Sequence, residues 1–194
     1  MAKNFKKVQT DKPISELTPL DITCKSTRCE ENLHSFHLNK TELKKFEGKR
    51  LCKDCGVDLI DWERVRKRNL SDSNFTINSL KKELFRHVFW NNEIDAAAIA
   101  KAQKLPKTKL RERAKKIINQ KIGKAQNFRD GYQTQKKGNE ITYYAQHATG
   151  TCCRDCLEYW HDIKKGTVLT NKELEFCADM AMLYIEKKVP NLAK

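Results

Sequence analysis

Cys24, Cys29, Cys52 and Cys55 fall in one short stretch of this chain, with His34 and His37 between them. No other feature limits the fold as strongly. Residues 22–62 hold too few apolar side chains for a core of their own, so a unit of that size needs a staple. Cys52 and Cys55 have two residues between them and Gly56 after them. That spacing lets two thiolates meet one ion. The backbone amides of such a turn support the sulfurs, and the glycine permits a positive φ. Cys24 and Cys29 form a looser pair, with four residues between. Four thiolates in two such pairs suit tetrahedral Zn2+, and His34 or His37 can replace one of them. A redox role for Cys52 and Cys55 would call for a thioredoxin-like strand before them, and none is read.

A second concentration lies at 145–161, where Cys152, Cys153, Cys156, His147 and His161 crowd together. If a helix starts at Cys152 or Cys153, Cys156 and His161 lie within two turns, and His147 folds back from the preceding loop. A subset of these five makes a closed Cys/His zinc site, with either Cys152 or Cys153 as ligand. The alternative is that both histidines are ordinary polar residues and one cysteine packs as a small hydrophobe. One or two Zn2+ ions are therefore the expected cofactors. Cys177 falls on the apolar face of the last expected helix and reads as core.

Residues Asp130-Gly131-Tyr132-Gln133-Thr134, the run 145–161, Ile163, Gly166 and Leu169-Thr170 carry a resemblance. Over 129–188 the chain resembles an uncharacterised bacterial family known as a domain of unknown function. It departs at Gln135, where that family has proline, and at Gly150, where it has alanine. The resemblance implies a coherent unit there and no particular activity. The N-terminal cysteine module reads as an addition to it.

Charge supplies the functional argument. The 194 residues include 39 Lys+Arg and 25 Asp+Glu, a formal net charge of +14. Residues 1–62 carry 12 basic and 10 acidic side chains, 63–129 carry 18 and 6, and 130–194 carry 9 and 9. The middle third thus holds +12 of the +14. A concentrated basic stripe needs an anionic partner or carries a self-repulsion cost. Nucleic acid is the expected partner, DNA or RNA, bound by phosphate neutralisation and counterion release. The candidate contacts are Arg64, Arg66, Lys67, Arg68, Lys107, Lys109, Arg111, Arg113, Lys115 and Lys116. Phe128, Tyr132, Tyr143 and Tyr144 read as core or loop packing more readily than as base-stacking platforms. No recognition-helix or RNA-binding fingerprint is visible.

The expected architecture is mainly α, with small zinc-stapled modules and little β. Residues 1–21 read as an extended arm, 22–62 as a zinc-ribbon or knuckle-like module, 63–127 as a basic helical region, and 128–194 as a Cys/His metal-binding core with a C-terminal helix. Residues 39–46 read as a short helix or turn, and 63–69 as a basic connector. Leu80, Leu84 and Val88 predict one amphipathic helix over 78–90, capped by Thr76 or Asn78. An Ala-rich helix over 94–103 ends before Pro106. A basic helix covers 107–122, with Leu110, Ala114, Ile117 and Ile118 on its apolar face and Gly123 at its end. Residues 141–144 are a short strand candidate. A helix runs from Cys152 or Cys153 to about Asp162. Thr170 and Glu173 make a capping box for a last helix, closed by Pro190.

Several classes are set aside. No run approaches the roughly 20 apolar residues of a membrane helix. The N-terminal lysines precede no apolar run, so a secretory signal is not expected. Eight cysteines in a reducing cytoplasm read as metal ligands before disulfides. A metal-dependent nuclease or hydrolase built around Asp130, Glu140 and His147 is the alternative function. A zinc deaminase is argued against, because Thr149 stands where its proton-shuttling glutamate would be and Cys153 lacks the preceding proline. A protein-interaction subunit of a larger complex, with an acidic protein partner, is the second alternative.

Overall fold

The computed structural model describes residues 11–126 and 140–193. The described residues are mainly helical. Three 3-10 turns occur at Ile14–Glu16, Cys29–Glu31 and Leu70–Asp72. The α-helices are α1 (Lys40–Lys45), α2 (Trp62–Arg66), α3 (Ser73–Leu80), α4 (Leu84–Asn91), α5 (Ala96–Gln103), α6 (Lys107–Ile122), α7 (Ile141–Ala148), α8 (Arg154–His161) and α9 (Asn171–Lys188). Extended pairing among the described residues is limited to two isolated bridges, Arg28 with Leu33 and His34 with Glu83.

The chain forms two compact units. The first comprises Met1–Leu59 and Lys81–Asn92, the second Ile60–Leu80 and Glu93–Lys194. In the first unit, α1 is held by a reciprocal cap. The Asn39 side chain accepts from the Glu42 amide, and the Glu42 carboxylate accepts from the Asn39 amide, which satisfies two helix-end donors at once. Residues 11–21 are part of this unit. Leu17 is buried, and its carbonyl accepts from the Asn92 side chain at 2.7 Å. Arg28 donates to the Lys12 carbonyl at 2.6 Å.

The expected single helix over 78–90 is two helices, α3 and α4, separated at residues 81–83. The cause is tertiary. The Lys82 carbonyl accepts from the His34 amide at 2.8 Å, and the His34 carbonyl accepts from the Leu84 amide at 3.0 Å. Residues 82–84 are thereby drawn out as a parallel bridge, and their backbone groups find partners outside any helix. The buried Glu83 carboxylate accepts from the Phe36 amide at 3.2 Å and pairs with buried Arg86 at 3.4 Å. This peptide segment therefore clamps the turn that carries His34.

The second unit is a helical assembly in which α9 packs against α6 and α7. Leu110, Ala114, Ile118 and Ile122 are the buried stripe of α6, at the four-residue spacing of one helix face. On α9 the buried set includes Leu174, Cys177, Ala181 and Tyr184, as the sequence pattern predicts. Residues 141–144 are not a strand. They open α7, whose eight residues are all buried. Ile141, Thr142, Tyr143 and Tyr144 have high strand propensity, but burial among helices outweighs a local preference worth at most about 1 kcal/mol per residue. The expected connector at 63–69 is largely the short helix α2, capped by Asp61, whose side chain accepts from the Arg64 amide at 2.9 Å. Helix α2 packs against α8, with Trp62 and Trp160 ring centroids 5.0 Å apart. Arg66 donates to the Tyr159 carbonyl at 3.2 Å, one of the orphan acceptors in the last turn of α8.

Candidate metal centres

The first centre is assembled by two turns. The chain enters through the 3-10 turn at Cys29–Glu31, reverses at Asn32 with φ 57°, and presents His34. The other half is the knuckle at 52–57. Its Cys52 amide donates to the Val57 carbonyl and its Gly56 amide to the Cys52 carbonyl, both at 2.9 Å. Gly56 has φ +74°, the left-handed conformation for which glycine is suited.

Ligand-type atoms of Cys29, His34, Cys52 and Cys55 all lie within 4.8 Å of one another. The Cys29 and Cys52 Sγ atoms are 3.7 Å apart, and Cys55 Sγ is 3.5 Å from His34 Nδ1. With Zn–S bonds near 2.3 Å and Zn–N bonds near 2.0–2.1 Å, a tetrahedron has edges of about 3.8 Å for two sulfurs and about 3.5 Å for sulfur and nitrogen. The donor set therefore fits a Cys3His zinc. His34 Nε2 is 3.1 Å from Asn32 Oδ1. Because that oxygen only accepts, Nε2 carries the proton and the Nδ1 lone pair is free to ligate, as is usual for metal-bound histidines. Burial, with Lys82 nearby, lowers the His34 pKa and keeps the ring neutral.

The thiols differ. Burial raises Cys29 to about 12, helped by hydrogen bonds with Cys55 and Cys52. Burial also opposes ionisation of Cys52, but the backbone amides of Cys55, Ser35 and Asp54 win and lower its pKa. Of the sulfurs expected from spacing, the structure brings together Cys29, Cys52 and Cys55. Cys24 lies outside that group, with its Sγ 3.5 Å from His37 Nδ1. His34 is the fourth member of the group.

The second centre lies at the start of α8. Cys152, Cys153 and Cys156 Sγ atoms lie within 4.8 Å of one another, and Cys152 and Cys156 are 3.5 Å apart. Cys153 is the N-cap residue, with its sulfur accepting from the Cys156 amide at 3.4 Å. Its pKa is raised, most by the hydrogen bond with Cys152. Cys156 is raised well above an ordinary thiol by hydrogen bonds with Cys152 and Cys153 and by burial. Without a cation, three adjacent thiols resist sharing negative charge.

The two histidines expected beside these sulfurs are not in that group. The His147 Nδ1–H donates to the Tyr143 carbonyl at 2.7 Å. The His161 Nε2–H donates to the Thr149 carbonyl at 2.9 Å. Around them, the Gln146 amide donates to the Thr151 carbonyl at 2.8 Å, and the Thr149 hydroxyl donates to the Ala145 carbonyl at 2.7 Å. Arg154, fully buried, donates to the Ile122 carbonyl at 3.3 Å and to the Lys164 carbonyl. These bonds hold the 145–161 motif as one buried polar knot.

The family model for a domain of unknown function, DUF4186, matches residues 74–186. The chain belongs to the DUF4186 family. No solved structure matches it. The DUF4186 match extends well upstream of the motif-dense stretch, taking in α4 and the whole basic helix α6. The second centre lies inside it, and the four residues of the first centre lie before it.

Within the DUF4186 region the remaining expected site residues are dispersed. Glu140 is tied to Lys101 and to Arg113, the latter at 2.5 Å. Burial opposes its ionisation, but the Arg113 and Lys101 hydrogen bonds prevail and its pKa is lowered, the wrong direction for a general base working near neutrality. His147 is seven residues further along α7, about 10 Å in helical rise. Asp130, with Phe128, Tyr132, Gln133 and Thr134, lies outside the described residues. Tyr143 and Tyr144 are buried. Cys177 is core, and burial raises its thiol to about 12.

The basic candidates are also sorted by the fold. Arg111 bridges Glu175 and Asp179, each at 2.6 Å, and Lys115 also pairs with Glu175. Lys107 pairs with Glu186 at 3.5 Å. Arg64 pairs with Asp72 at 2.6 Å and stacks on Phe75. Lys67 with Glu63 and Lys109 with Glu112 are solvent-exposed pairs within single helical turns. Arg68 and Lys116 are exposed. Apart from the local Lys109–Glu112 pair, spacing along the chain gives no sign of this sorting, because the other acids that pair with α6 come from Glu140 and from α9.

Proposed function

We propose that this protein is a zinc-binding, nucleic-acid-binding protein in which the Cys29/His34/Cys52/Cys55 centre holds the first unit together. The observation that carries the zinc reading is the match of that donor set to a tetrahedral ion, with the His34 tautomer fixed by Asn32. Removing zinc with a chelator is expected to unfold residues 22–59, because metal-binding free energy is folding free energy in so small a module. Proteolysis of chelated and zinc-replete protein reads this out. An unchanged cleavage pattern and melting temperature would overturn it.

The nucleic-acid reading rests on the formal charge of +14, and the ion pairs narrow which side chains serve it. Exposed pairs contribute about 0–1 kcal/mol each, so Lys67 and Lys109 can exchange their carboxylates for phosphate at little cost. Together with Arg68 and Lys116 they make four available candidates, whereas Arg64, Arg66, Lys107, Arg111, Arg113 and Lys115 are engaged within the fold. The slope of log K against log[salt] for duplex DNA is then about −3 to −4, rather than the roughly −9 expected of ten contacts. Binding titrations across salt test it, and a flat dependence would remove the reading. Bacterial or phage nucleic-acid metabolism or defence is the setting that composition favours.

A further inference from the structure

The three sulfurs of the second centre differ in kind from the first set. Among the described residues no histidine nitrogen belongs to this group, and all three cysteines are buried, with Cys152 6%, Cys153 7% and Cys156 1% exposed. In the first centre Cys55 is exposed and Cys29 half-buried. We propose that Cys152, Cys153 and Cys156 form a histidine-free three-thiolate site for a thiophilic d10 cation, Zn2+ or Cu+, enclosed in the second unit and exchanging far more slowly than the ion of the first.

Geometry, donor chemistry and enclosure carry this. Around a metal with bonds near 2.3 Å, sulfurs stand about 3.8 Å apart in a tetrahedron and about 4.0 Å apart in a trigonal plane. The group spans 3.5 Å between Cys152 and Cys156 and stays within 4.8 Å overall. An all-sulfur set selects soft ions over magnesium, calcium or manganese. Three thiolates complete a trigonal Cu+, or leave Zn2+ one further position. The backbone supports the arrangement at two points: the Cys156 amide donates to Cys153 Sγ, and Arg154, between the two cysteines, is anchored to the Ile122 and Lys164 carbonyls. His147 and His161 each tie one ring nitrogen to a backbone carbonyl, which fixes both rings beside the site without placing them in the sulfur group. An ion enclosed this way is loaded as the unit folds and leaves when it opens.

The inference does not depend on nucleic-acid binding, and its test is separate. Elemental analysis and native mass spectrometry of the full chain, purified without oxygen or chelator, are expected to give two ions per chain. A colorimetric chelator takes one from the native protein and the second only after guanidinium unfolds it. Cys156→Ser and Cys152→Ser each lose the slow ion and keep the fast one, Cys55→Ser does the reverse, and Cys177→Ser keeps both. Anaerobic refolding with Zn2+ alone or Cu+ alone decides between the two metals. Should the serine variants fail to fold, the ion count and release kinetics of the wild type decide. One ion per chain, with Cys152, Cys153 and Cys156 alkylated as free thiols on unfolding, overturns the proposal. So does a disulfide among them, seen as a loss of two hydrogens in the intact mass, and so does release of both ions at one rate.

Discussion

Cys24 and His34 separate two ways of completing the first centre. Cysteine spacing alone favours Cys24 as the fourth ligand, and the fold places His34 there. Cys24→Ser is therefore expected to keep its zinc, whereas Cys29→Ser and His34→Ala lose it, measured as ions per chain by elemental analysis. Retention by His34→Ala together with loss in Cys24→Ser would reverse the assignment. Gly150 offers a second residue-level test. Its φ is +70°, and an added Cβ would stand 3.2 Å from the Trp160 ring and 3.3 Å from His161 Nε2 and Leu80. Gly150→Ala should cost about 1–3 kcal/mol, from a left-handed backbone and close contacts in a buried knot. Urea unfolding measures it, and an unchanged midpoint would show that the neighbours yield freely.

Among the elements, those with local signals are the ones legible in sequence. The Thr170 and Glu173 capping box stands at the start of α9, with the Thr170 side chain accepting from the Glu173 amide at 3.2 Å. Thr170→Ala should destabilise the second unit by about 1 kcal/mol, while Thr170→Ser should be nearly neutral; thermal melts of the two variants give the comparison. Helix α6 is likewise placed by apolar spacing and by Gly123 at its end. The break between α3 and α4 has no local signal, since its cause is the backbone of His34, far away in sequence. Helix α7 has a misleading one, because β-branched and aromatic residues read as strand until the surrounding helices bury every side chain.

On the scale of the whole molecule, charge is rearranged rather than merely displayed. The basic middle third and the formally neutral last third interlock, with Arg111, Arg113 and Lys115 facing Glu140, Glu175 and Asp179. Glu175 and Glu140 have lowered pKa values, the first most by Lys115 and the second, against burial, most by Arg113. A carboxyl lowered by folding contributes stability above its unfolded pKa and loses it as pH falls through the folded value. Stability should therefore decline from about pH 4.5 downward, and Glu140→Gln should flatten that decline. Denaturant titrations of both proteins between pH 3 and 7 would show it, and parallel curves would rule out a role for Glu140.

By itself, the sequence determined that the chain is mainly helical, that its cysteines fall into two groups, and, to within a few residues, where α5, α6, α8 and α9 begin and end. Those properties depend on neighbours within a turn or two, which periodicity and caps report directly. Its motif-dense run at 145–161 lies within the 74–186 stretch that the DUF4186 model matches. Tertiary structure alone decided that His34 stands with three cysteines, that His147 and His161 each bond a backbone carbonyl through one ring nitrogen, and that much of the basic helix is neutralised by acids from α9. Each of these depends on the distance between segments remote in sequence. Coordination and ion pairing act over only a few ångströms, so the fold must close before either partner is chosen.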